Sequence, residues 1–431
     1  MEIKCLRLND MTESVCDSNM KVKYLLPGET AHFVNRKNKI IHETDIISAS
    51  PNRTKVVCPI FYECGGCDFL HISYEEQLKM KAWHVRDLCI KSNIKTEFLP
   101  IIASDKPRHY RHKVVASATE SKGKLRFGLY QEGTKHVIPF TNCFIQDQTA
   151  NKIIVSLENL FNKYKIKAYD MDKKIGMIKH VLLRKSYHYQ NFLLCIVTQG
   201  NLLPNAKKIA QELVQLHPEV QTVVQNIHHK QTSFVLLDEE KIIYGSGYIL
   251  DAIGVIRFRL SAKSFYQVNP YQMIKLYQSA LDAAEIKPTD VVLDTYSGIG
   301  TISLLAAKKA REVIAIESNA SAHLDAVFNR KLNQIQNVRF IQGDVEQAIL
   351  NLNQTIDVLI LDPTRDGASE KFLETVMLLK PKRIVYISCE PKTQVRDLKL
   401  LSRLYQVKHI QPVDMFSQSA HVESITLLSL K

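Results

Sequence analysis

The stretch "VVLDTYSGIGTISLLAA", residues 291–307, decides the fold. It begins with an apolar run typical of a buried strand, continues through a turn with two glycines, and ends with the apolar spacing of an amphipathic helix. Gly298 and Gly300 would let the backbone approach a ligand closely at the carboxyl end of that strand. About 20 residues further on, the run "VIAIE" ends in Glu317, where α/β folds that bind nucleotides place a ribose-binding acid.

Strand-like and helix-like segments alternate from about residue 256 onward. The runs "VRFIQGD", "DVLILD" and "RIVYIS" follow one another, with helical patterns between them. This rhythm is typical of an α/β domain with a Rossmann-like, doubly wound parallel sheet. Residues 1–54 have short alternating runs around "LLPGE", which predict a small β-barrel. Residues 55–255 mix helical and β-type patterns, so we predict three domains: 1–54, 55–255 (α+β) and 256–431.

The acids at the predicted strand ends indicate the cofactor. The third glycine of the nicotinamide dinucleotide fingerprint is missing after Gly300. Instead Asp294 precedes the turn, Asp344 follows the third strand and Asp362 follows the fourth. Carboxylates there can bind the ribose and the amino group of S-adenosylmethionine, which has no pyrophosphate to cradle. We therefore predict S-adenosylmethionine rather than a nicotinamide cofactor.

Cys389 directly follows the run "RIVYIS", so it would lie at the same carboxyl edge of the sheet. A thiolate at that edge can add to C6 of a uracil ring and make C5 reactive toward a sulfonium methyl group. A base must then remove the C5 proton. Glu423, in the polar stretch "DMFSQSAHVES", is a candidate for this base. Position alone leaves a buried core thiol open for Cys389 and an exposed surface carboxylate open for Glu423.

Four of the nine cysteines have the spacing of a metal site. Cys58, Cys64 and Cys67 lie in "CPIFYECGGC", and Cys143 follows in "FTNCF". Four thiolates can hold either a [4Fe–4S] cluster or zinc, and the spacing leaves zinc open. A radical S-adenosylmethionine enzyme would need gaps of three and two residues, whereas the first gap here is five. The remaining thiols outside the predicted sites, Cys5, Cys16, Cys89 and Cys195, are interpreted as small buried residues.

The formal net charge of +13 favours a polyanionic partner. Residues 106–113, "KPRHYRHK", combine four Lys or Arg residues with two histidines and Tyr110, a composition typical of a segment that contacts phosphates and stacks on bases. The chain is 45% hydrophobic and 23% charged, as in ordinary globular proteins. No apolar run is long enough to span a membrane, and the N-terminus has no hydrophobic signal region, so we predict a cytoplasmic protein.

Five motifs resemble those of the RNA uracil-C5 methyltransferases that carry an iron–sulfur cluster, and this resemblance covers essentially the whole chain. The motifs are "SFYQVN" (264–269), "DTYSGIGT" (294–301), "LDPTRDG" (361–367), "SCEPKT" (388–393) and "DMFSQSAHVE" (414–423). The resemblance implies that Cys389 is the nucleophile and Glu423 the base. It also implies cofactor contacts from Gln267, Tyr296, Glu317, Asp362, Thr301 and Asp344.

The same resemblance implies further properties. The cysteines would hold a [4Fe–4S] cluster, the N-terminal barrel would be an RNA-binding TRAM domain of the OB kind, and the substrate would be 23S ribosomal RNA of the large subunit. Four residues depart from the family pattern. They are Thr364 in place of proline, Glu390 in place of asparagine, Ser297 in place of cysteine and His112 in place of asparagine. None is a reacting group, but they bear on the shape of the uracil pocket.

Three alternatives are open at this point. The same chemistry on transfer RNA is one, and a non-catalytic RNA-binding factor in ribosome assembly is another. The third, methylation of an amino group on adenine or guanine, usually needs an aromatic residue where "DPTR" has arginine. A monomer without an obligate protein partner is expected.

Overall fold

The N-terminal region is a small antiparallel sheet. The computed structural model describes residues 1–36, 39–230, 232 and 234–431. The first sheet has the strand order β3-β2-β1-β4-β5. Its strands are β1 (Glu2–Asn9), β2 (Glu13–Cys16), β3 (Lys21–Lys23), β4 (Thr30–His32) and β5 (Ile46–Ser48). Alternate side chains such as Ile3 and Cys5 are buried in a small apolar core of their own, so the alternation seen in the sequence builds this sheet.

A helix and a very short strand connect this sheet to the next: α1 (Tyr74–Lys91) and β6 (Glu97–Phe98). A seven-stranded sheet follows, in the order β13-β12-β11-β10-β7-β8-β9. Its elements are β7 (Lys113–Ser121), β8 (Lys124–Tyr130), β9 (Val137–Pro139), α2 (Gln148–Lys163), β10 (Ile178–Lys185), β11 (Phe192–Thr198), α3 (Ala206–Leu216), β12 (Val220–Ile227) and β13 (Glu240–Tyr244). Helices α2 and α3 cover one face of this sheet, and the other face packs toward the C-terminal domain.

A hairpin of β14 (Ile249–Ile253) and β15 (Ile256–Leu260) and helix α4 (Pro270–Ala283) lead into the C-terminal domain. Its sheet has the order β18-β17-β16-β19-β20-β22-β21-β6. The elements are β16 (Val291–Thr295), α5 (Thr301–Ala306), β17 (Glu312–Glu317), α6 (Ala320–Leu332), β18 (Val338–Gln342), α7 (Val345–Leu350), β19 (Val358–Leu361), α8 (Glu370–Leu379), β20 (Arg383–Ser388), α9 (Pro391–Leu401), β21 (Tyr405–Val413) and β22 (Glu423–Leu430). Strands β16 to β20 are parallel, and β22 runs antiparallel to β20.

The C-terminal sheet is buried on both faces, as the continuous apolar runs in its strands predict. Val292 and Ile360 point into one core, while Leu293 and Leu359 point into the other. This is a doubly wound α/β sheet, and that part of the predicted fold class is confirmed.

Helix α1 and strand β6 precede the seven-stranded sheet in the chain but pack with the C-terminal one. α1 contacts α9 and β21, and β6 pairs with β21. The division at residues 54 and 255 stays a prediction. Across the described ranges, no helix combines the length and the apolar character that crossing a bilayer requires.

Candidate active site

The turn after β16 has an unusual backbone. Tyr296 has φ +62°, Gly298 φ +56° and Gly300 φ +82°, all in the left-handed region. A Cβ atom at Gly300 would lie 2.7 Å from the Phe340 ring, so glycine is needed there for packing. At Gly298 a Cβ atom would meet nothing within 4 Å. The turn therefore leaves open space at the carboxyl end of β16, where a ligand can approach the backbone.

Glu317, the last residue of β17, is held by this turn. Its Oε2 accepts a hydrogen bond of 2.7 Å from the Gly298 amide, and its Oε1 accepts one of 2.7 Å from the Asn319 amide. Two backbone donors fix the carboxylate, and each oxygen keeps a further lone pair for another donor. Glu317 thus has the orientation and the free acceptor capacity that binding two ribose hydroxyls requires.

Three other predicted cofactor residues lie at helix starts or against a neighbouring ring. Thr301 is the first residue of α5, and Asp344 caps the N-terminus of α7 by accepting from the Glu346 and Gln347 amides at 2.9 and 3.2 Å. The Tyr296 ring lies against Phe372, with 6.0 Å between ring centroids. Asp344 therefore has a structural task in addition to any ligand contact.

Three carboxyl groups gather at the ends of neighbouring strands. Burial raises the pKa of Asp294 to about 7, and Ser303 donates a hydrogen bond to it. Burial also raises the pKa of Asp362 to about 7. Burial and the nearby Asp362 raise the pKa of Glu423 to about 8. Acids whose pKa values lie near neutrality are typical of functional sites, because they can take up or release a proton there.

Cys389 and Glu423 are brought together by strand register. In the antiparallel pair of β20 and β22, Ser388 lies opposite Ser424. Cys389 directly follows Ser388, and Glu423 directly precedes Ser424. Because the two strands are antiparallel, Cys389 and Glu423 lie at the same end of the sheet. Glu423 is 1% exposed and Cys389 is half-buried. The Oε2 atom of Glu423 has no hydrogen-bond partner among the described residues.

Charged side chains near Cys389 affect the pKa of its thiol. Burial, Glu423 and Asp362 raise the pKa of the thiol to about 11, while Arg365 acts against this rise. Arg365 also works against the high pKa of Glu423. Arg365 is therefore a positive charge that acts on both predicted reacting groups. The sequence placed Arg365 in a motif, but without a role.

Two further aromatic residues at this site were missed by the sequence analysis. Burial and the nearby Asp362, Glu423 and Asp294 raise the pKa of Tyr277, and Gln267 acts against this rise. Tyr277 on α4 therefore faces the three acids and lies beside Gln267. Phe265, two residues before Gln267, is 62% exposed, which is unusual for an aromatic ring so close to a buried polar site.

The segment between β21 and β22, which leads to Glu423, is fixed by a buried ion pair. Lys81 on α1 donates to Asp414 Oδ1 at 2.5 Å, and the exposed fractions of the two side chains are 0% and 1%. Tyr74 and Ser417 donate to Asp414 Oδ2 at 2.7 and 2.5 Å. The carboxylate is thus fully engaged, and α1 holds this segment in place.

We expect Lys81→Met to lower the free energy of unfolding by about 3–5 kcal/mol, because it leaves the buried Asp414 carboxylate without its cation. The midpoint of urea unfolding measures this. Lys79→Met on the same helix is the matched control, since Lys79 is exposed and lies 3.7 Å from Glu76; we expect a change within about 0.5 kcal/mol. Equal midpoints for the two variants would show that the ion pair does not hold this segment.

The predicted cysteine region touches the same segment. The amides of Asp68 and Phe69 donate to the Gln418 carbonyl at 2.9 and 3.0 Å. The Ala420 amide donates to Asp68 Oδ2 at 2.8 Å. Asp68 directly follows Cys67, so the chain at the predicted cluster is bonded to the segment that carries the predicted base.

The four predicted cluster cysteines lie in one neighbourhood. Burial raises the pKa of Cys67 well above its usual value, and the charges of Cys143, Cys64 and Cys58 add to the rise. Burial is also the first cause of the raised pKa values of Cys58, Cys64 and Cys143. In the described ranges, no group of three or more His, Cys, Asp or Glu side chains is arranged to hold a metal ion. The chemistry of this donor set fits a cluster, but the sulfur atoms do not form a closed ligand set.

The basic segment 106–113 differs from its predicted role in one respect. Tyr110 is 2% exposed, and its hydroxyl donates to the Ser417 carbonyl at 3.0 Å. The prediction that Tyr110 stacks on bases is therefore wrong, because the ring is used to anchor the segment before β22. Arg108 is exposed, while Lys106, Arg111 and Lys113 are half-buried, so the cations of the segment remain accessible.

Comparison with known proteins gives consistent matches. A family model described as tRNA (uracil-5-)-methyltransferase matches residues 73–431. An uncharacterized RNA methyltransferase of Halalkalibacterium halodurans is 38% identical over 90% of this chain and 86% of its own length. One of Oceanobacillus iheyensis is 36% identical over 95% and 91%. The structure of Pyrococcus abyssi tRNA (uracil-54, C5)-methyltransferase in complex with S-adenosyl-L-homocysteine superimposes with a TM-score of 0.80, at 23% identity and 99% coverage of both chains.

Proposed function

This chain belongs to the tRNA (uracil-5-)-methyltransferase family, and we propose that it methylates C5 of a uridine in RNA through a transient bond between Cys389 and C6. The observation that carries the proposal is the register of β20 and β22, which delivers a thiol and a buried carboxyl group to one end of a methyltransferase-type sheet. A buried carboxyl oxygen without a hydrogen-bond partner lowers the stability of the fold, and such atoms are typical of functional sites.

The residues of this chain divide the reaction between them. Cys389 reacts as the thiolate: its sulfur forms a bond to C6 of uracil, the C5–C6 double bond opens, and C5 becomes electron-rich enough to take a methyl group. S-adenosylmethionine, when bound, supplies the methyl group on a positively charged sulfur. Glu423 then takes the proton from C5, the bond between sulfur and C6 breaks, and Cys389 is released as a thiolate. Arg365 stabilises the negative charge of Glu423 and Cys389 in turn.

The cofactor residues fit S-adenosylmethionine. Glu317 offers free lone pairs toward the open space at Gly298, which suits ribose hydroxyls. Asp362 and Gln267 lie near the reacting groups and would bind the methionine part. Tyr296, Thr301 and Asp344 border the same edge and are proposed as further contacts.

The target uridine must leave its stack, since both ring faces have to be reached. The exposed Phe265 ring beside Gln267 suits the stacking of such a base.

A cell-based experiment tests the function and the substrate together. Mapping 5-methyluridine in ribosomal and transfer RNA, from cells with and without this protein, should show one or more sites that disappear. We propose large-subunit ribosomal RNA as the substrate in the cytoplasm, with a monomeric enzyme. If 5-methyluridine were lost only from transfer RNA, the proposed reaction would stand and the substrate would be transfer RNA, as in the names of the family and of the Pyrococcus structure. No loss at all would refute the function.

We propose that Cys58, Cys64, Cys67 and Cys143 hold a [4Fe–4S] cluster, and that residues 1–54 form a TRAM-like barrel that contacts RNA. Burial and mutual repulsion raise the pKa of these neighbouring thiols, and the positive charge of a bound metal would offset that rise by stabilising the thiolates.

Protein purified without oxygen should contain about four iron and four sulfide per chain and absorb in the visible range. Cys64→Ser should lower the iron content, because it removes one ligand. Cys195→Ser is the control, since Cys195 is buried in the seven-stranded sheet, and it should keep the iron. Zinc without sulfide would contradict the cluster and favour a zinc site.

A further inference from the structure

Two cations face each other on β7 and β10. Lys113 lies directly opposite Arg184 in the antiparallel pair. Both project from the face of the sheet that packs toward the C-terminal domain, because Val115 and Leu182, two residues away on the same strands, belong to the core shared with that domain. Like charges directly opposite each other destabilise a sheet, so this pair calls for a compensating charge.

No negatively charged side chain of the described residues pairs with Lys113. The neighbouring Lys185 is neutralised by Asp147 at 2.9 Å, whereas Lys113 makes no ion pair or side-chain hydrogen bond within the described part of the chain. Burial, Arg184 and Arg111 lower the pKa of Lys113 to about 7, and no acid acts against this. A half-buried cation between two other cations is suited to binding an anion from outside.

Further polar groups at this place also lack partners. Both ring nitrogens of His112 make no hydrogen bonds with the described residues, although this side chain is only 4% exposed. The Arg184 guanidinium, 2% exposed, donates to the Ser264 carbonyl, but its Nε atom has no partner among the described residues. The cleft lined by His112, Lys113, Arg184 and Gln267 is too narrow for a water molecule, so only the half-buried side chains at its edge can meet a ligand. The His112 amide donates to the Val268 carbonyl at 2.8 Å, which ties the cleft to the segment beside the active site.

We propose that Arg111 and Lys113 form a subsite for a backbone phosphate of the RNA, next to the nucleotide that enters the active site, and that the buried Arg184 adds positive charge behind them. This inference rests on the proposed function. A phosphate would supply the missing negative charge and accept hydrogen bonds from the Lys113 ammonium and the Arg111 guanidinium together. The subsite would fix the register of the strand, while the base itself is read elsewhere.

Lys113→Met tests the subsite through the salt dependence of RNA binding. The probe is a fluorescein-labelled oligouridine, and the binding is followed by fluorescence anisotropy at several salt concentrations. We expect the dissociation constant to rise roughly tenfold at low salt. We expect the slope of log affinity against log salt to fall by about 1, since one phosphate contact is lost. Lys113→Arg, which keeps the charge, should retain the slope of the wild type.

Lys207→Met is the matched control, because it removes the same charge from an exposed position on α3, which covers the opposite face of the sheet. It should leave the affinity and the slope nearly unchanged. Equal effects of Lys113→Met and Lys207→Met would overturn the subsite, since only the net charge would then matter. The Lys113→Met protein should melt no lower than the wild type, because the substitution relieves repulsion. If it melts lower, Lys113→Gln replaces it in the same comparison.

A second measurement separates RNA from the cofactor as the source of the anion. Calorimetry with S-adenosylmethionine alone should give the same affinity for Lys113→Met and the wild type. A loss of cofactor affinity with unchanged oligouridine binding would overturn the proposal and assign the cations to the methionine carboxylate. Failure of the subsite and failure of the proposed function give different results. A smaller salt slope without 5-methyluridine in cells would refute the function alone, and 5-methyluridine with an unchanged slope would refute the subsite alone.

Discussion

Cys389→Ala is expected to abolish methyl transfer to RNA, with a loss of at least about 10⁴-fold in rate. C5 of uracil is a weak nucleophile, and without a bond from sulfur to C6 nothing in the site makes it electron-rich. Arg365, Glu423 and the other acids would remain in place, but they can act only on a ring that has been activated. Transfer of a radiolabelled methyl group from S-adenosylmethionine to RNA measures the effect.

Cys195→Ala is the control for Cys389→Ala, because that thiol is fully buried in the seven-stranded sheet, away from the carboxyl edge of the C-terminal sheet. It should keep most of the activity at a small cost in stability. The Cys389→Ala protein should also bind oligouridine as the wild type does, which separates lost chemistry from lost binding. Methyl transfer by Cys389→Ala at the wild-type rate would refute the mechanism, and the thiol would then be a packing residue.

Glu423→Gln is expected to trap the enzyme on its substrate. The amide has the shape of the carboxyl group but cannot take the C5 proton, so the bond between Cys389 and C6 cannot break by elimination. A methylated protein–RNA adduct should accumulate and survive denaturing electrophoresis, with turnover lowered by at least about 10²-fold. The wild type should show far less of this species, since its carboxylate resolves it.

The pH dependence gives an independent check on Glu423. Burial and Asp362 raise the pKa of this group to about 8, so the carboxylate fraction, which is the active base, increases as the pH rises through that value. Decay of the wild-type adduct should therefore accelerate from pH 7 to pH 9, while decay in Glu423→Gln should not respond. The double variant Cys389→Ala/Glu423→Gln should form no adduct. An adduct in the double variant, or none in Glu423→Gln, would contradict the assignment of the base.

Most of the carboxyl edge could be predicted from the sequence. Parallel strands carry their own signature, because apolar runs and glycine turns recur at short spacing, and the residues at the strand ends then meet at one edge. Glu317, Asp362 and Cys389 follow from this local pattern. Glu423 does not, because its place depends on β22 pairing antiparallel to β20, and spacing alone could not distinguish it from a surface carboxylate. Its assignment came from the resemblance of its motif.

Contacts between residues far apart in the chain could not be predicted. Lys81 reads as one more lysine on the polar face of α1, and only the folded chain brings it to Asp414, 333 positions away. The pairing of Lys113 with Arg184 likewise depends on the order of strands in the seven-stranded sheet. Tyr110 was misplaced because a basic, aromatic-containing segment has the same composition whether its ring lies inside or outside. Composition does not specify which side chain anchors such a segment.

The pairing of β20 with β22 limits where insertions and deletions can occur in relatives of this chain. Cys389 and Glu423 are positioned by hydrogen bonds between two adjacent strands, and not by the connection through α9 and β21. Insertions and deletions in the turn between α9 and β21 can therefore accumulate without altering the chemistry, whereas the segment between β21 and β22 is anchored through Asp414 and Ser417. A slip of one residue between the strands cannot be tolerated, because it would turn Glu423 to the opposite face of the sheet.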